Sequence, residues 1–77
     1  MAVGSTYKVI ELVGSSSDGV QEALDGAISR AAQTIRNLDW FEVKEIRGTI
    51  EDGRANWYQV KVGVGFRVDS GEDIRED

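Results

Sequence analysis

Four side chains of this 77-residue chain carry groups that could hold a flat ligand bearing a phosphate. Trp40 offers an indole ring on which a planar molecule can stack. Gln59 offers an amide donor and an amide acceptor, the pair needed to recognise an imide edge. Arg47 and Arg67 offer guanidinium groups, which bind phosphate through paired N–H donors. The four residues predict a binding surface, provided that the fold points them away from the core.

Each of these residues also has a plainer interpretation. A tryptophan can be a core residue, and the arginines can form surface ion pairs with Glu42 or Glu45. Two features favour an exposed Trp40: Asp39 precedes it in a junction between elements, and Phe41 takes the inward position beside it. On the residues alone, both interpretations stay open.

The composition excludes most catalytic chemistry. The chain has no cysteine and no histidine, which removes thiolate nucleophiles, histidine bases, disulfides and most zinc sites. Carboxylates are the remaining acid–base groups, and no close pair lies in an apolar segment that would shift a pKa usefully. Gly63 and Gly65 resemble part of a dinucleotide-binding loop, but they lie inside a strand pattern. We therefore expect a binding protein without catalytic residues and without a metal.

Charge and length limit the partners. The formal net charge is −5, from 9 Lys and Arg against 14 Asp and Glu, which argues against nucleic acid as a partner. The chain has no long apolar run and its first residues do not resemble a signal peptide, so we expect no membrane contact and a cytoplasmic location. A domain this small usually needs stabilisation from outside its own core, and self-association is the remaining common means.

An amphipathic helix is predicted from Val20 to about Asn37. Its apolar positions, at steps of three and four, are Val20, Leu24, Ile28, Ala31, Ile35 and Leu38. Ser17 is one candidate for the N-cap, and Asp18 with Gln21 in capping-box spacing is the other.

Two strands are predicted at residues 7–13 and 57–68. The first is apolar on both faces, which indicates that something covers its second face. The other alternates regularly, with Tyr58 and the valines on the inward side. Gly63 and Gly65 lie on its outward side, where two glycines indicate a close approach by another chain or a ligand.

A third strand is predicted at residues 40–50. Apart from Trp40, its apolar residues lie at odd positions before Lys44 and Glu45 and at even positions after them, which indicates a β-bulge or a sharp bend. Asp52 and Gly53 then predict a hairpin. The order is β-α-β-β, an α+β fold in which a three-stranded antiparallel sheet folds over one helix. We expect one domain over 1–77, with an ordered core at about 6–68 and a polar tail at 69–77.

Three segments in combination resemble bacterial dodecins over about residues 6–68. They are VIELVGS from Val9, LDWFEVKEIRG from Leu38 and YQVKVGVGFR from Tyr58. The resemblance implies a β-α-β-β subunit in a hollow, roughly spherical homododecamer that binds flavins without catalytic turnover. Trp57 departs from the family pattern, and its role stays open.

The resemblance also implies site roles. Trp40 matches the tryptophan on which flavin rings stack in pairs between symmetry-related subunits, and Gln59 matches the glutamine at the isoalloxazine edge. Arg47 matches an arginine near the FMN phosphate, and Arg67 matches a position linked to coenzyme A in some members. The expected function is storage and sequestration of FMN or riboflavin with quenching of its photochemistry. The alternative is a structural or interaction module whose outward face only makes the oligomer.

Overall fold

The computed structural model describes residues 5–68, which form one helix and one three-stranded sheet. The elements are β1 (Thr6–Ser16), α1 (Val20–Ala32), β2 (Leu38–Glu51) and β3 (Arg54–Val68). The strand order is β1-β3-β2, and both neighbouring pairs are antiparallel. The predicted β-α-β-β order and antiparallel sheet are confirmed, and each strand is longer than predicted. The expected polar tail at 69–77 lies outside the described residues.

The inner face of the sheet packs on α1 and forms the core. The buried cluster consists of Ala23, Ala27, Val60, Val62 and Val64. The three valines are alternate residues of β3 and at most 2% exposed, which confirms the predicted inward set. The buried helix residues are alanines, so the helix comes close to the sheet. A Cβ at Gly14 in β1 would overlap the carbonyl oxygen of Ala23, so this approach requires a glycine.

The start of α1 differs from the sequence prediction. Gly19 is the N-cap, without a side-chain hydrogen bond, so neither Ser17 nor Asp18 caps the helix. The backbone N–H of Asp18 instead donates to the Ser16 hydroxyl over 2.9 Å. This bond belongs to the turn that leaves β1, and the helix begins only after it.

The end of α1 also differs, because the helix stops at Ala32 rather than near Asn37. Asn37 has a positive φ of 67°, a left-handed conformation that an α-helix cannot contain. The chain reverses there so that Leu38 pairs with Phe66 as the first residue of β2. Leu38 therefore packs against the core from the sheet and not from the helical stripe.

The predicted hairpin between β2 and β3 is confirmed. Asp52 and Gly53 have φ values of 55° and 75°, and positive φ at both central residues is the signature of a type I′ turn. Aspartate tolerates the left-handed region and glycine adopts it freely, so these two residue types fit the turn.

Apolar side chains remain uncovered on several surfaces within residues 5–68. On β2, Phe41 and Val43 pair with the buried Val64 and Val62 but are themselves 51% and 39% exposed, so the inward position predicted for Phe41 does not bury it in the single chain.

On β1, Tyr7, Val9 and Val13 are 42–54% exposed on the face turned away from α1. On the β2–β3 hairpin, Ile46 and Ile50 are 55% and 80% exposed. The cover that the sequence predicted for the second face of β1 must therefore come from outside the described residues.

Candidate functional site

The outer face of the sheet, which is the side turned away from α1, carries all four candidate residues. Gln59 and Arg67 alternate along β3 with the buried valines, so their side chains lie on the opposite side from the core. The register of β2 on β3 sets Trp40 opposite Gly65 and Arg47 opposite Gln59. The sequence expectation that these side chains share one face is met by this arrangement.

A β-bulge brings Trp40 and Arg47 to the same face. They are seven positions apart, and in a regular strand an odd separation puts side chains on opposite faces. The register shifts between Val43, which pairs with Val62, and Glu45, which pairs with Lys61. The extra residue on β2 restores the phase, so the bulge predicted across Lys44 and Glu45 is confirmed and has a direct consequence for the site.

Trp40 is 42% exposed and lies against the β3 backbone at Gly65. A Cβ built on Gly65 would meet three indole atoms at once, with Cδ2 at 2.8 Å and Cε2 and Cζ2 closer. The tryptophan is therefore not a core residue of the single chain. It lies on the sheet surface, and glycine leaves room for its ring.

Arg47 and Gln59 form the second part of the site. The Arg47 Nε–H donates to Gln59 Oε1 over 3.0 Å, which leaves the Gln59 NH₂ group and the terminal guanidinium nitrogens for other partners. Glu45 lies between two cations, 4.0 Å from Arg47 Nη1 and 3.8 Å from Lys61 Nζ. The predicted surface ion pair of Arg47 with Glu45 is thus present, and it leaves Arg47 64% exposed.

These side chains line a shallow, open depression on the outer face. Its lining consists of Val13, Glu45, Arg47, Gln59 and Lys61. Sequence reasoning did not include Lys61 in the site, although its parity with Gln59 on β3 was the available signal. It lies across from Glu45 in the register and adds a second cation beside Arg47.

Arg67 lies at the other end of β3, across from Tyr7 of β1. Its backbone N–H donates to the Asn37 carbonyl over 3.2 Å, and the Asn37 side-chain amide donates back to the Arg67 carbonyl over 3.5 Å. The turn before β2 thus fixes the backbone of Arg67. Since Arg67 is two residues from Gly65, it lies near Trp40 and far from Gln59.

The structure therefore separates the four residues into two groups within one chain. Trp40 and Arg67 lie at one end of the outer face, and Arg47 and Gln59 lie at the other. Gln59 and Gly65 are six residues apart along β3, which corresponds to about 20 Å. Arg47 and Gln59 are in direct contact through their hydrogen bond.

Neither a metal site nor a membrane-spanning helix is found in the described part of the chain. Within residues 5–68, no three potential metal-ligating side chains come together as a candidate metal site. No helix in that range is both long enough and apolar enough to cross a membrane.

Comparison with known proteins establishes the family. The Dodecin family model matches residues 6–69, which include all four candidate residues. A curated dodecin from Thermus thermophilus is 52% identical over 67 residues, covering 87% of this chain and 97% of its own length. The chain belongs to the dodecin family. The resemblance identified from the three sequence segments is thereby confirmed.

Solved dodecin structures share the fold. The dodecin from Streptomyces coelicolor has a TM-score of 0.81 at 48% identity, over 91% of this chain and all of that one. The dodecin from Streptomyces davaonensis has a TM-score of 0.79 at 48% identity, over 88% of this chain and all of that one. The β-α-β-β subunit described above is thus the dodecin subunit.

Proposed function

We propose that the chain is a flavin-binding storage protein that sequesters FMN or riboflavin and quenches its photochemistry. The observation that carries this proposal is Trp40, an exposed indole on the sheet surface with Gly65 beneath it. An aromatic ring in this position provides a stacking platform for a flat ligand. Membership of the dodecin family supports the same ligand class.

The site requires more than one copy of the chain. Trp40 and Gln59 are separated by about 20 Å within one subunit, so one isoalloxazine ring does not reach both. We infer that Trp40 of one copy and Gln59 of another meet the same ligand in a homododecamer. The exposed apolar residues of β1 and of the hairpin support such an assembly, because large exposed apolar patches mark interaction surfaces.

Each side chain has a distinct part in this proposal. Trp40 stacks on the ring, donates an electron to its excited state and recovers that electron on recombination, which quenches fluorescence without net chemistry. Gln59 recognises the ring edge with the NH₂ group that Arg47 leaves available. Arg47 binds the FMN phosphate through its terminal nitrogens. Arg67 offers a guanidinium group to a second phosphate-bearing ligand, coenzyme A.

The proposal is tested by titrating FMN and riboflavin into the parent protein and three variants, followed by flavin fluorescence. We expect Trp40→Ala to weaken binding by about 1–3 kcal/mol, the range for an aromatic ring stacked on a base. Trp40→Phe should recover part of the affinity but little of the quenching, because phenylalanine is a poorer electron donor. Trp57→Phe is the matched control, since Trp57 is 46% exposed on the hairpin.

The outcome that contradicts the proposal is defined for each variant. A parent protein that neither binds flavin nor quenches its fluorescence rules the function out. If Trp57→Phe loses flavin quenching and Trp40→Ala keeps it, the stacking site lies at Trp57 on the hairpin and not at Trp40. Light scattering checks that every variant keeps one large assembly, and a stable parent monomer contradicts the composite site.

The second candidate is a structural or interaction module whose outer face only makes the oligomer. The exposed Ile46 and Ile50 favour it, because they need a covering surface whether or not a ligand binds. A protein that assembles, is colourless when purified and does not bind added flavin supports this alternative. The expected absence of catalysis and of a nucleic-acid partner, and the cytoplasmic location, stay predictions.

A further inference from the structure

We infer that Gly65 is a positioning residue for Trp40: it holds the indole face-on against β3 and so leaves the opposite face of the ring to the ligand. The contact between glycine and ring is a property of the chain itself. Its consequence for flavin rests on the function proposed above. The two parts can therefore be tested separately.

The geometry indicates that the ring lies over Gly65 by its face. The point at which a Cβ of residue 65 would stand is nearly equidistant from Cε2 and Cζ2 and only slightly farther from Cδ2. A point over the ring, above the Cε2–Cζ2 bond, satisfies these three distances. A point beyond the ring edge on the Cε2–Cζ2 side would be much farther from Cδ2. One face of the indole is consequently covered by the backbone of β3.

A side chain at position 65 therefore displaces the platform. Ordinary van der Waals contact for a Cβ begins at 3.4 Å, whereas all three ring atoms lie within 2.8 Å of the Cβ position. Trp40 must retreat by about 1 Å, because the backbone of a central strand cannot move away. Binding geometries are sensitive to displacements of about 0.5 Å, so a shift of this size disturbs a stacked ligand.

Gly63 is a matched control on the same strand and the same face. A Cβ there would meet Lys44 Cε at 3.1 Å and Val9 Cγ1 at 3.4 Å. The nearer atom belongs to a flexible lysine, which can rotate away at little cost. Gly63→Ala and Gly65→Ala thus make the same backbone change two residues apart, and only the second one meets an indole.

The first experiment uses the flavin-free protein in a Trp57→Phe background, where Trp40 is the remaining tryptophan. Gly65→Ala should shift the Trp40 emission to longer wavelength and increase its quenching by acrylamide, because the displaced ring projects farther from the sheet into solvent. Gly63→Ala should leave both signals at their parent values. An unchanged emission in Gly65→Ala overturns the inference.

The second experiment is a double-mutant cycle on thermal unfolding. Gly65→Ala should lower Tm when Trp40 is present. In a Trp40→Ala background it should leave Tm unchanged or raise it, because alanine costs a strand less entropy than glycine. If Gly65→Ala alone does not assemble, restored assembly in the double variant supports the inference. An equal loss in both backgrounds means that Gly65 serves the strand and not Trp40.

The third experiment measures FMN binding in the parent, Gly63→Ala and Gly65→Ala. We expect Gly65→Ala to raise Kd by about fivefold or more, from the lower end of the stacking range, and Gly63→Ala to stay within about twofold. Equal affinities overturn the role of Gly65 in the site. If the parent binds no flavin while the emission and Tm results hold, the proposed function fails and the contact of Gly65 with Trp40 stands.

Discussion

Arg47 is expected to serve the ligand in two ways, and Arg47→Ala removes both. Its Nε–H fixes the Gln59 carboxamide through a 3.0 Å hydrogen bond, so that the amide oxygen is occupied and the NH₂ group is left for the ligand. Its terminal nitrogens, 4.0 Å from Glu45 at the nearest, are the groups proposed to bind the FMN phosphate. FMN loses both contributions in the variant, whereas riboflavin, which has no phosphate, loses only the first.

The magnitudes follow from exposure and bond type. A charge-assisted hydrogen bond contributes about 1.5–3 kcal/mol, and the 64% exposure of Arg47 moves the phosphate contribution to the low end of that range. Loss of the fixed Gln59 orientation should cost about 0.5 kcal/mol, a change of about twofold for riboflavin. With the loss of about 0.5 kcal/mol from Gln59 added, we expect FMN affinity to fall about thirtyfold. Without the contact between Arg47 and Gln59, no loss would be expected for riboflavin.

The assay is a fluorescence titration of both flavins into the parent, Arg47→Ala and Arg54→Ala. Arg54 is an exposed arginine at the start of β3, so its variant makes the same charge change away from the site. The extra loss for FMN should shrink at high salt, because ions screen the arginine–phosphate attraction. Adding Gln59→Ala should abolish the riboflavin effect of Arg47→Ala.

Equal losses for FMN and riboflavin would refute this reasoning, because they would mean that Arg47 supports the structure and does not contact the phosphate. A similar loss in Arg54→Ala would show that the effect depends on net charge alone. If Arg47→Ala still weakens riboflavin binding in a Gln59→Ala background, the effect of Arg47 on riboflavin does not act through the Gln59 amide.

Three further predictions concern stability and are measured by thermal unfolding at one protein concentration. Gly14→Ala should strongly lower the free energy of unfolding or prevent assembly, because its Cβ would overlap the backbone of α1. Gly26→Ala should raise the free energy of unfolding by up to about 1 kcal/mol, because Gly26 lies in α1 with open space around it. Gly53→Ala should cost about 1 kcal/mol because φ is 75°, and no loss would mean that the turn rearranges. Val62→Ala should cost about 2 kcal/mol, more than the exposed Val13→Ala, and the reverse order would mean that Val13 is the more deeply buried of the two in the assembly.

The faces of the strands could be predicted from the sequence because side-chain direction in a strand depends only on parity. The alternation from Tyr58 to Val68 identified the inward valines without knowledge of the partner strands. The change in parity of the apolar residues across Lys44 predicted the bulge for the same reason. The outward orientation of Gln59 and Arg67 therefore follows from the residue pattern alone.

The limits of α1 could not be predicted in the same way. The apolar spacing continues through Ile35 to Leu38, and helical periodicity does not distinguish a longer helix from a turn that leads into a strand. Strand pairing determines where the helix ends, because Leu38 pairs with Phe66 in the sheet. The N-cap depended likewise on a local bond, from the Asp18 N–H to Ser16, that competes with helix capping.

The contacts within the site depend on two register shifts of opposite direction, and the sequence revealed one of them. From the turn, Ile50 pairs with Ala55, and an unbroken ladder would set Gln59 against Ile46. An extra residue on β3 between Ala55 and Tyr58 changes the register and brings Arg47 opposite Gln59.

The extra residue on β2 between Val43 and Glu45 then returns the register, so that Trp40 meets Gly65 and not Phe66. Only the shift between Val43 and Glu45 interrupts an alternation of apolar and polar residues. The shift near the turn falls among exposed residues, where the sequence has no alternation that would show it. The two pairs of the site can therefore coexist only when both irregularities are present. This is why the outward face of these four residues, but not the contacts between them, could be predicted from the sequence.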